Sequence, residues 1–352
     1  MNYFEEDRFS LDDNSEVPEV SVVIPAFNEA RFIENCIESL LNTSYPLDRI
    51  ELILVDGMST DDTVAIAQRK AKISGVDLSV VQNEQRIKTP GLNAGILKAR
   101  GSVIVVADAH SEYSRDYIRK NVANLLSSGA ANVGGKWRIT PRNDSKKAIA
   151  IALALQHPFG TGGAKFKRDV SEVSSVDTVP FGCFMKETAI EMGLFNENLI
   201  RNQDIEFNLR LKRSGKKILL FPDVDIKYFS RSTFSELWKN NFENGRWVIL
   251  GWKYAKLPFS LRHLVPFTFL IFLFSGALAS LFLPTVSVAL FSLIGLYVFS
   301  VILATVLIAK RESRFDLIPF AFFSFIVLHF SYGFGSLKGF MEVIACRPSG
   351  KS

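Results

Sequence analysis

Two long uncharged apolar segments near the carboxyl end constrain the fold of this chain more than any other feature. They are Leu264–Leu283 and Val286–Ile308. A helix needs roughly 20 apolar residues to cross the hydrocarbon core of a bilayer, so each segment predicts a membrane-spanning helix. A buried helical hairpin in a soluble protein is the alternative. A third apolar segment, 317–335, is interrupted by His329 and two glycines and predicts either a further span or a re-entrant or interfacial helix.

Basic residues beside these segments predict their orientation. Six of them flank the first two spans: Lys253, Lys256, Arg262, Lys310, Arg311 and Arg314. Two spans return the chain to the side from which it started, and basic flanks favour the cytoplasmic side. We therefore expect a protein integral to the cytoplasmic membrane whose N-terminal half faces the cytoplasm.

The remaining composition divides the chain into regions. Residues 1–18 are acidic and lack periodicity, which predicts a disordered tail without a secretory signal peptide. Residues 19–230 then predict one soluble domain, 231–260 an interfacial segment, 261–340 a transmembrane region and 341–352 a second tail. The three cysteines are scattered, which argues against a disulfide framework or a zinc site.

Apolar runs and amphipathic segments alternate in the first half of the chain. The runs that predict strands are Val20–Ile24, Glu51–Val55, Val76–Val81 and Val103–Ala107. Helical periodicity separates them, as in residues 30–41. This alternation predicts an α/β domain with a Rossmann-like, doubly wound and mostly parallel sheet.

An aspartate and a histidine follow the last of these strands. Asp108 and His110 stand two residues apart, where open α/β sheets bind their ligands. A carboxylate oxygen and an imidazole nitrogen at this spacing can share one divalent cation, Mn²⁺ or Mg²⁺, and leave positions for a substrate diphosphate. A merely polar strand end is the alternative.

Two further carboxylates belong to the same prediction. Asp56 ends the second strand, where it can bind a nucleotide base or ribose or can cap the next turn. Asp204 precedes a helix and can act as general base on an acceptor hydroxyl. Glu206 competes for that role, although we expect it to face solvent or a nearby arginine.

Residues 234–254 mix aromatic rings with lysine and arginine. This mixture is typical of the bilayer interface, where aromatic rings and long cations lie at headgroup depth. An ordinary surface helix is the alternative. The net charge of +5 is modest and no nucleic-acid-binding signature is present, so a membrane surface or anionic phosphates are the expected partners.

Several ordered motifs resemble the family 2 glycosyltransferases of the GT-A fold. Residues 21–29, SVVIPAFNE, are similar to the opening strand and nucleotide loop of that family, and residues 54–63, LVDGMSTDDT, are similar to its second-strand motif. Asp108-Ala109-His110 stands where the family has Asp-x-Asp, and Asn202-Gln203-Asp204 where it has Glu-Asp. The chain resembles most closely the membrane-bound succinoglycan-type exopolysaccharide glycosyltransferases.

This resemblance implies a metal-dependent hexosyltransferase that uses a nucleotide-diphosphate sugar. It implies nucleotide-sugar binding by six residues: Pro25, Phe27, Glu29, Asp56, Asn93 and Asp108. It further implies that Asp108 and His110 hold the metal and that Asp204 is the base of an inverting transfer. Residues 243–247, ENGRW, partly resemble the Gln-x-x-Arg-Trp motif of processive synthases, with Glu in place of Gln, and assign Arg246 and Trp247 to the acceptor or diphosphate.

These features together predict transfer of a sugar to a hydroxyl of a lipid-linked, polyprenyl-type glycan in the synthesis of an exopolysaccharide or cell-surface polysaccharide. Transfer to a polyprenyl phosphate itself is one alternative, but a phosphate acceptor scarcely needs a base such as Asp204. A catalytically degenerate scaffold of a polysaccharide export complex is the alternative from another class. The intact Asp56, Asp108, His110 and Asp204 argue against it.

Overall fold

The structure is a computed structural model that describes residues 17–255 and 261–345. These residues form two units. Unit 1 contains residues 17–138 and 169–228, and unit 2 contains residues 139–168, 229–255 and 261–345. Most of the two expected tails and the flanking Lys256 lie outside the described residues.

The first half of unit 1 alternates strands and helices, as the sequence predicts. Its elements are β1 (Val20–Ala26), α1 (Ile33–Leu41), β2 (Ile50–Asp56), α2 (Thr63–Ser74), β3 (Asp77–Gln82), α3 (Lys88–Lys98) and β4 (Val103–Val106). β1 pairs in parallel with both β2 and β4, and β2 with β3. β2 and β4 are buried along their whole length because helices cover both faces of such a sheet.

The rest of the sheet is different because most of its described pairs are antiparallel. The later elements are β5 (Ser111–Tyr113), α4 (Tyr117–Ser128), β6 (Asn132–Thr140), α5 (Lys146–Gln156), α6 (Pro158–Thr161), β7 (Ser174–Ser175), β8 (Cys183–Met185), α7 (Lys186–Glu191), α8 (Gln203–Arg213) and β9 (Ile218–Phe229). The strand order is β3-β2-β1-β4-β8-β6-β9-β5, with β7 on β9. The expected α/β domain is confirmed, with a mixed sheet that is parallel in its first half.

The carboxyl ends of β1, β2 and β4 lie at one edge of this sheet. β8 runs antiparallel to β4, with Val105 opposite Cys183, so β8 begins at the edge where β4 ends. The backbone N–H of Val106 donates to the carbonyl of Gly182 at 3.1 Å. We call this edge the carboxyl edge. Loops from both halves of the sheet therefore lie along it.

Unit 2 contains three helices long and apolar enough to cross a membrane. They are α10 (Val265–Ser280), α11 (Pro284–Arg311) and α12 (Ile318–Ala345). The two segments that the sequence marks as spans form α10 and α11. The third segment, 317–335, also forms one long helix, which begins at Ile318 and continues ten residues beyond the segment to Ala345.

The helix α9 (Phe234–Ala255) packs closely along α12. Gly245 and Gly335 lie so near the partner helix that an added Cβ would overlap the carbonyl oxygens of Tyr332 and Phe242 respectively. The Ser336 hydroxyl also donates to the Gly245 carbonyl at 3.1 Å. Small residues at such a contact let two helix backbones approach. α9 covers most of the segment expected at the membrane interface, and its position at a bilayer stays a prediction.

Residues 139–168 pack with the C-terminal helices in unit 2, although the sequence suggested one domain over 19–230. Ile151 and Ala154 of α5 share a buried apolar cluster with Phe325 of α12. His329 Nε2 lies 2.8 Å from the carbonyl oxygen of Phe159. The histidine that interrupts the third apolar segment thus has a polar partner inside unit 2.

Candidate active site

Three predicted site residues meet at the carboxyl edge. The Nδ1 atom of His110 lies 2.9 Å from Asp108 Oδ1 and 3.3 Å from Glu29 Oε1. Glu29 follows β1, and the other two follow β4, the neighbouring parallel strand. The strand order therefore brings together residues about 80 positions apart in the sequence.

The charges in this cluster stabilise one another. Burial lowers the pKa of His110, but the Asp108 and Glu29 carboxylates outweigh burial and raise it to about 9. Burial raises the pKa of Asp108, whereas the His110 and Lys88 charges hold it well below its usual range. Without a bound cation, His110 is therefore protonated at neutral pH and forms an ion pair with Asp108.

The donor atoms of this cluster suit a small divalent cation. Carboxylate oxygen with one imidazole nitrogen is a set that Mn²⁺ accepts well and Mg²⁺ tolerates. Within residues 17–255 and 261–345, no group of three or more His, Cys, Asp or Glu residues has the geometry of a complete metal site. Asp108 and His110 would thus supply part of the coordination, and substrate oxygens and water the rest.

The loops after β1 and β2 form the adjoining part of the edge. Asp56 is 3% exposed, and its carboxylate accepts the backbone N–H of Ser59 at 3.1 Å. Phe27 is 47% exposed, and the Gly57 N–H donates to the carbonyl of Ala26 directly before it. Pro25 pairs with Val55 within the β1–β2 ladder. An exposed ring therefore lies beside a buried carboxylate at the strand ends.

Asn93 lies inside unit 1 rather than at its surface. It is 4% exposed, its Nδ2 donates to Phe195 O and Glu197 Oε1, and its Oδ1 accepts the Phe195 N–H at 2.9 Å. These bonds use its amide to fix residues 195–197 against α3. The nucleotide-binding role assigned to Asn93 by resemblance stays a prediction, and its structural role is plain.

The same contacts position the start of α8. Thr89, the second residue of α3, donates to the carbonyl of Leu199 at 2.5 Å. Its neighbour Lys88 lies 3.8 Å from Asp108 Oδ2. Leu199 precedes α8 by four residues, so this hydrogen bond holds the loop that leads into α8 against the first turn of α3.

Asp204 and Glu206 differ clearly in their surroundings. Asp204 is half-buried, whereas Glu206 is 3% exposed and pairs with Arg210 through two hydrogen bonds of 2.7 and 2.9 Å. Arg210 also donates to the carbonyl of Leu194. Glu206 therefore stabilises α8 and the loop before it, and the nearby arginine expected from the sequence is Arg210. The base role of Asp204 stays a prediction.

Arg246 and Trp247 lie on α9 in unit 2. The Arg246 guanidinium contacts Glu342 of α12 at 3.0 Å and Glu243 at 3.2 Å. Two carboxylates therefore neutralise it within unit 2. Trp247 is half-buried. Their acceptor role stays a prediction.

Sequence reasoning missed two cations at the carboxyl edge. Lys88 contacts Asp108, and the Arg86 guanidinium lies 5.9 Å from the centre of the Phe27 ring. Arg86 lies between β3 and α3, and Lys88 is the first residue of α3. Both therefore follow a parallel strand, as Asp56 and Asp108 do. The rule that ligands bind beyond the carboxyl ends of parallel strands could have identified them.

The part of the sequence that forms this edge matches a known protein family. Residues 21–190 match the profile of glycosyl transferase family 2. Residues 21–190, just under half of the chain, therefore correspond to a family 2 glycosyltransferase domain. The expected family resemblance is confirmed, and the matched residues include β1, β2, β4 and the Asp108–His110 loop.

Two curated relatives extend the similarity beyond the family 2 domain. A dolichyl N-acetyl-α-D-glucosaminyl phosphate 3-β-D-2,3-diacetamido-2,3-dideoxy-β-D-glucuronosyltransferase of Methanococcus voltae is 29% identical over 91% of this chain and 98% of its own length. The succinoglycan biosynthesis protein ExoA of Rhizobium meliloti is 28% identical over 70% of this chain and 73% of its own. The first match therefore includes unit 2 residues.

A solved structure supports the fold. The mannosyltransferase PcManGT of Pyrobaculum calidifontis, solved with GDP-Man and Mn²⁺, has a TM-score of 0.60 and 17% sequence identity over 92% of this chain and 88% of its own. This likeness supports the GT-A fold expected from the sequence.

Proposed function

We propose that this chain is a membrane-anchored, inverting glycosyltransferase that moves a hexosyl unit from a nucleotide-diphosphate sugar to a hydroxyl of a lipid-linked glycan. The observation that supports this most is the contact of Asp108, His110 and Glu29 at the carboxyl edge of a family 2 domain. We also propose that the glycosyltransferase domain spans residues 19–230.

The donor binds along the loops after the parallel strands. The exposed Phe27 ring offers a surface for the base, and the buried Asp56 carboxylate accepts hydrogen bonds from base or ribose. Pro25 and Glu29 shape the loop between them. Asn93 contributes indirectly, because its amide holds residues 195–197 in place. Lys88 and Arg86 add positive charge where the diphosphate would lie.

Asp108 and His110 would hold Mn²⁺ or Mg²⁺ against the diphosphate. When bound, the cation supplies charge that stabilises the leaving nucleotide diphosphate. To bind the cation His110 would have to be neutral, so its ion pair with Asp108 would oppose binding. Glu29 Oε1 lies 3.3 Å from the same Nδ1 atom and would place a second carboxylate beside the imidazole.

Asp204 acts as general base. It removes the proton from the acceptor hydroxyl as the hydroxyl oxygen attacks the anomeric carbon and the nucleotide diphosphate leaves from the opposite face. The pairing of Glu206 with Arg210 supports the choice of Asp204, because Glu206 is already committed to a structural contact. A single base on this side of the sugar is consistent with inversion.

A lipid-linked acceptor fits unit 2. Three helices long enough to span a bilayer follow the family 2 domain, and the M. voltae relative is named for a dolichyl phosphate-linked N-acetylglucosamine acceptor. Trp247 would stack on the acceptor sugar at headgroup depth, and Arg246 would meet phosphate after exchanging a glutamate for it. Chains of this kind take part in cell-surface polysaccharide or glycolipid synthesis.

The test is a donor screen on full-length protein in detergent with Mn²⁺. UDP- and GDP-sugars are offered with decyl N-acetylglucosaminyl phosphate, with decyl phosphate, or with neither. We expect nucleotide release from at least one donor, increased by the sugar-bearing acceptor. Greater stimulation by decyl phosphate would favour the polyprenyl-phosphate alternative, and no release from any donor would favour the scaffold.

Trp247→Ala tests the acceptor assignment. We expect slower transfer to decyl N-acetylglucosaminyl phosphate, unchanged slow donor hydrolysis and unchanged membrane association. Equal loss of hydrolysis and transfer, or release from the membrane, contradicts an acceptor role and makes Trp247 an anchor.

Orientation is tested by cysteine labelling in cells that carry the chain without Cys346. Phe282, between α10 and α11, is 77% exposed, and Ser313 lies between α11 and α12. With unit 1 in the cytoplasm, a membrane-impermeant maleimide should label Phe282→Cys in intact cells and Ser313→Cys only after lysis. The reverse pattern contradicts a cytoplasmic catalytic domain.

A further inference from the structure

Three aromatic side chains near the carboxyl edge have no part in the chemistry described so far. They are Trp137 of β6, Phe181 just before β8 and Tyr228 of β9. The Trp137 and Tyr228 rings are stacked, with centres 4.0 Å apart and planes 7° apart, and the Phe181 ring lies 5.7 Å from Trp137. All three are half-buried. We call this group the aromatic wall.

Backbone pairing connects the aromatic wall to both ends of the loop that holds Asp108 and His110. Phe181 precedes Gly182, whose carbonyl accepts the N–H of Val106 at the end of β4. Tyr228 lies opposite Ser111 in the β5–β9 ladder, and Ser111 is the residue after His110. The wall therefore lies on the β8–β6–β9 side of the metal-binding residues, whereas β1, β2 and β3 lie on the other side.

Phe181 has an unusual backbone conformation. Its φ is +48°, in the left-handed region that bulky side chains rarely adopt. The Tyr117 hydroxyl donates to its carbonyl at 3.2 Å and helps to hold it there. Conformations of this kind cluster at functional sites, where the surrounding structure fixes a side chain in a required place. Here the result is a ring at the edge, next to Trp137.

We propose that the aromatic wall is a sugar-binding subsite that stacks on the C–H face of a pyranose ring. The axial C–H groups of a pyranose form an apolar face that matches the negative face of an aromatic ring. The sugar could belong to the donor or to the acceptor, since both reacting sugars meet next to the diphosphate. The inference rests on the proposed transferase function and adds a recognition surface to it.

The first experiment measures binding and so does not depend on turnover. Trp137→Phe removes one of four tryptophans, and the difference in emission between wild type and this variant reports on Trp137. The ligands are UDP, UDP-N-acetylglucosamine, GDP, GDP-mannose and decyl N-acetylglucosaminyl phosphate. We expect at least one sugar-bearing ligand to change this difference signal more than its nucleotide alone does. An unchanged difference signal across the panel overturns the proposal.

The second experiment identifies the source of the sugar. Phe181→Gly removes the ring and suits the positive φ, so the backbone is expected to stay in place. With the donor found in the screen, we expect a five- to fiftyfold rise in one KM. A rise in the donor KM of acceptor-free hydrolysis indicates the donor sugar, and a rise in the KM for decyl N-acetylglucosaminyl phosphate indicates the acceptor sugar.

Controls separate stacking from packing. Trp238→Ala removes a 39% exposed indole from α9 and should change neither KM. Trp137→Phe keeps a ring and should retain most of the affinity that Trp137→Ala loses. If all wall variants lower kcat equally without changing either KM, the wall is only a packing cluster and the proposal is wrong. If the wild type released no nucleotide from any donor, the transferase function would be refuted. The fluorescence experiment would still show whether the aromatic wall binds a sugar.

Discussion

The carboxyl edge of unit 1 and the helix α9 of unit 2 both hold charged residues that the sequence marked as functional, but their charges are used differently. At the edge, His110 contacts both Asp108 and Glu29, Lys88 contacts Asp108, and the side chains of Asp108, His110 and Glu29 stay 14–22% exposed. On α9, two glutamates already neutralise Arg246. A motif therefore says which residues are present, whereas the packing decides which charges remain available.

The largest expected effect concerns the first turn of α8. Asp204→Asn should lower kcat by roughly 10²- to 10⁴-fold with little change in donor KM, because it removes the base but not the donor site. Steady-state transfer to decyl N-acetylglucosaminyl phosphate measures this. If transfer survives, the proposed base is wrong.

Glu206→Gln is the matched variant two residues away. It leaves Arg210 with a weaker partner in a buried place, so we expect a loss of about 1–3 kcal/mol in the free energy of unfolding. Thermal unfolding measures the loss, and kcat of the folded fraction should stay near that of the wild type. If the Glu206→Gln protein were stable but inactive, Glu206 and not Asp204 would be the general base.

Asp108→Ala tests the metal-binding part of the edge. We expect the rate to fall on the order of a hundredfold or more, because charge on the leaving diphosphate is then poorly stabilised. Chelation with EDTA should abolish turnover of the wild type and added Mn²⁺ should restore it. Full activity in EDTA would contradict the metal assignment.

Gly335→Ala tests the packing on the unit 2 side of the comparison. The added methyl would overlap the Phe242 carbonyl, so we expect a loss of about 1–3 kcal/mol of stability. Gly295→Ala on α11 is the control, since an added Cβ there meets nothing within 4 Å. Equal unfolding temperatures for the two variants would mean that the α9–α12 contact is looser than described.

The smallest expected effect concerns Arg246. Glu342→Gln removes one of its two carboxylate partners, and we expect the KM for decyl N-acetylglucosaminyl phosphate to fall roughly two- to fivefold, since partly exposed pairs contribute up to about 1 kcal/mol. Acceptor titration at fixed donor measures this. A rise in that KM would show that Glu342 orients Arg246 instead of competing for it.

Local patterns were sufficient for much of this molecule. The run Val103–Ala107 predicts a buried strand, and β4 (Val103–Val106) confirms it. The antiparallel strands were harder because β5, β7 and β8 have only two or three residues each. Such strands form through tertiary contacts and leave almost no periodic signal.

Contacts between distant residues were beyond the sequence patterns. Nothing in the α5 sequence says that it packs with Phe325 of α12, and nothing near Arg246 points to Glu342. The aromatic wall joins Trp137, Phe181 and Tyr228 from three separate strands or loops. Each of these depends on the path of the chain through the fold, which single-sequence periodicity does not contain.

The close contact of α9 with α12 has a consequence for the synthesis of the chain. Residue 255 leaves the ribosome more than 60 residues before α12 begins, a delay on the order of several seconds at ordinary translation rates. During that time the face of α9 around Gly245 has no partner helix, and α10 and α11 are synthesised first. The packing of unit 2 can therefore be completed only after its last helix is synthesised. A ribosome that stops before residue 318 leaves α9 without its partner helix.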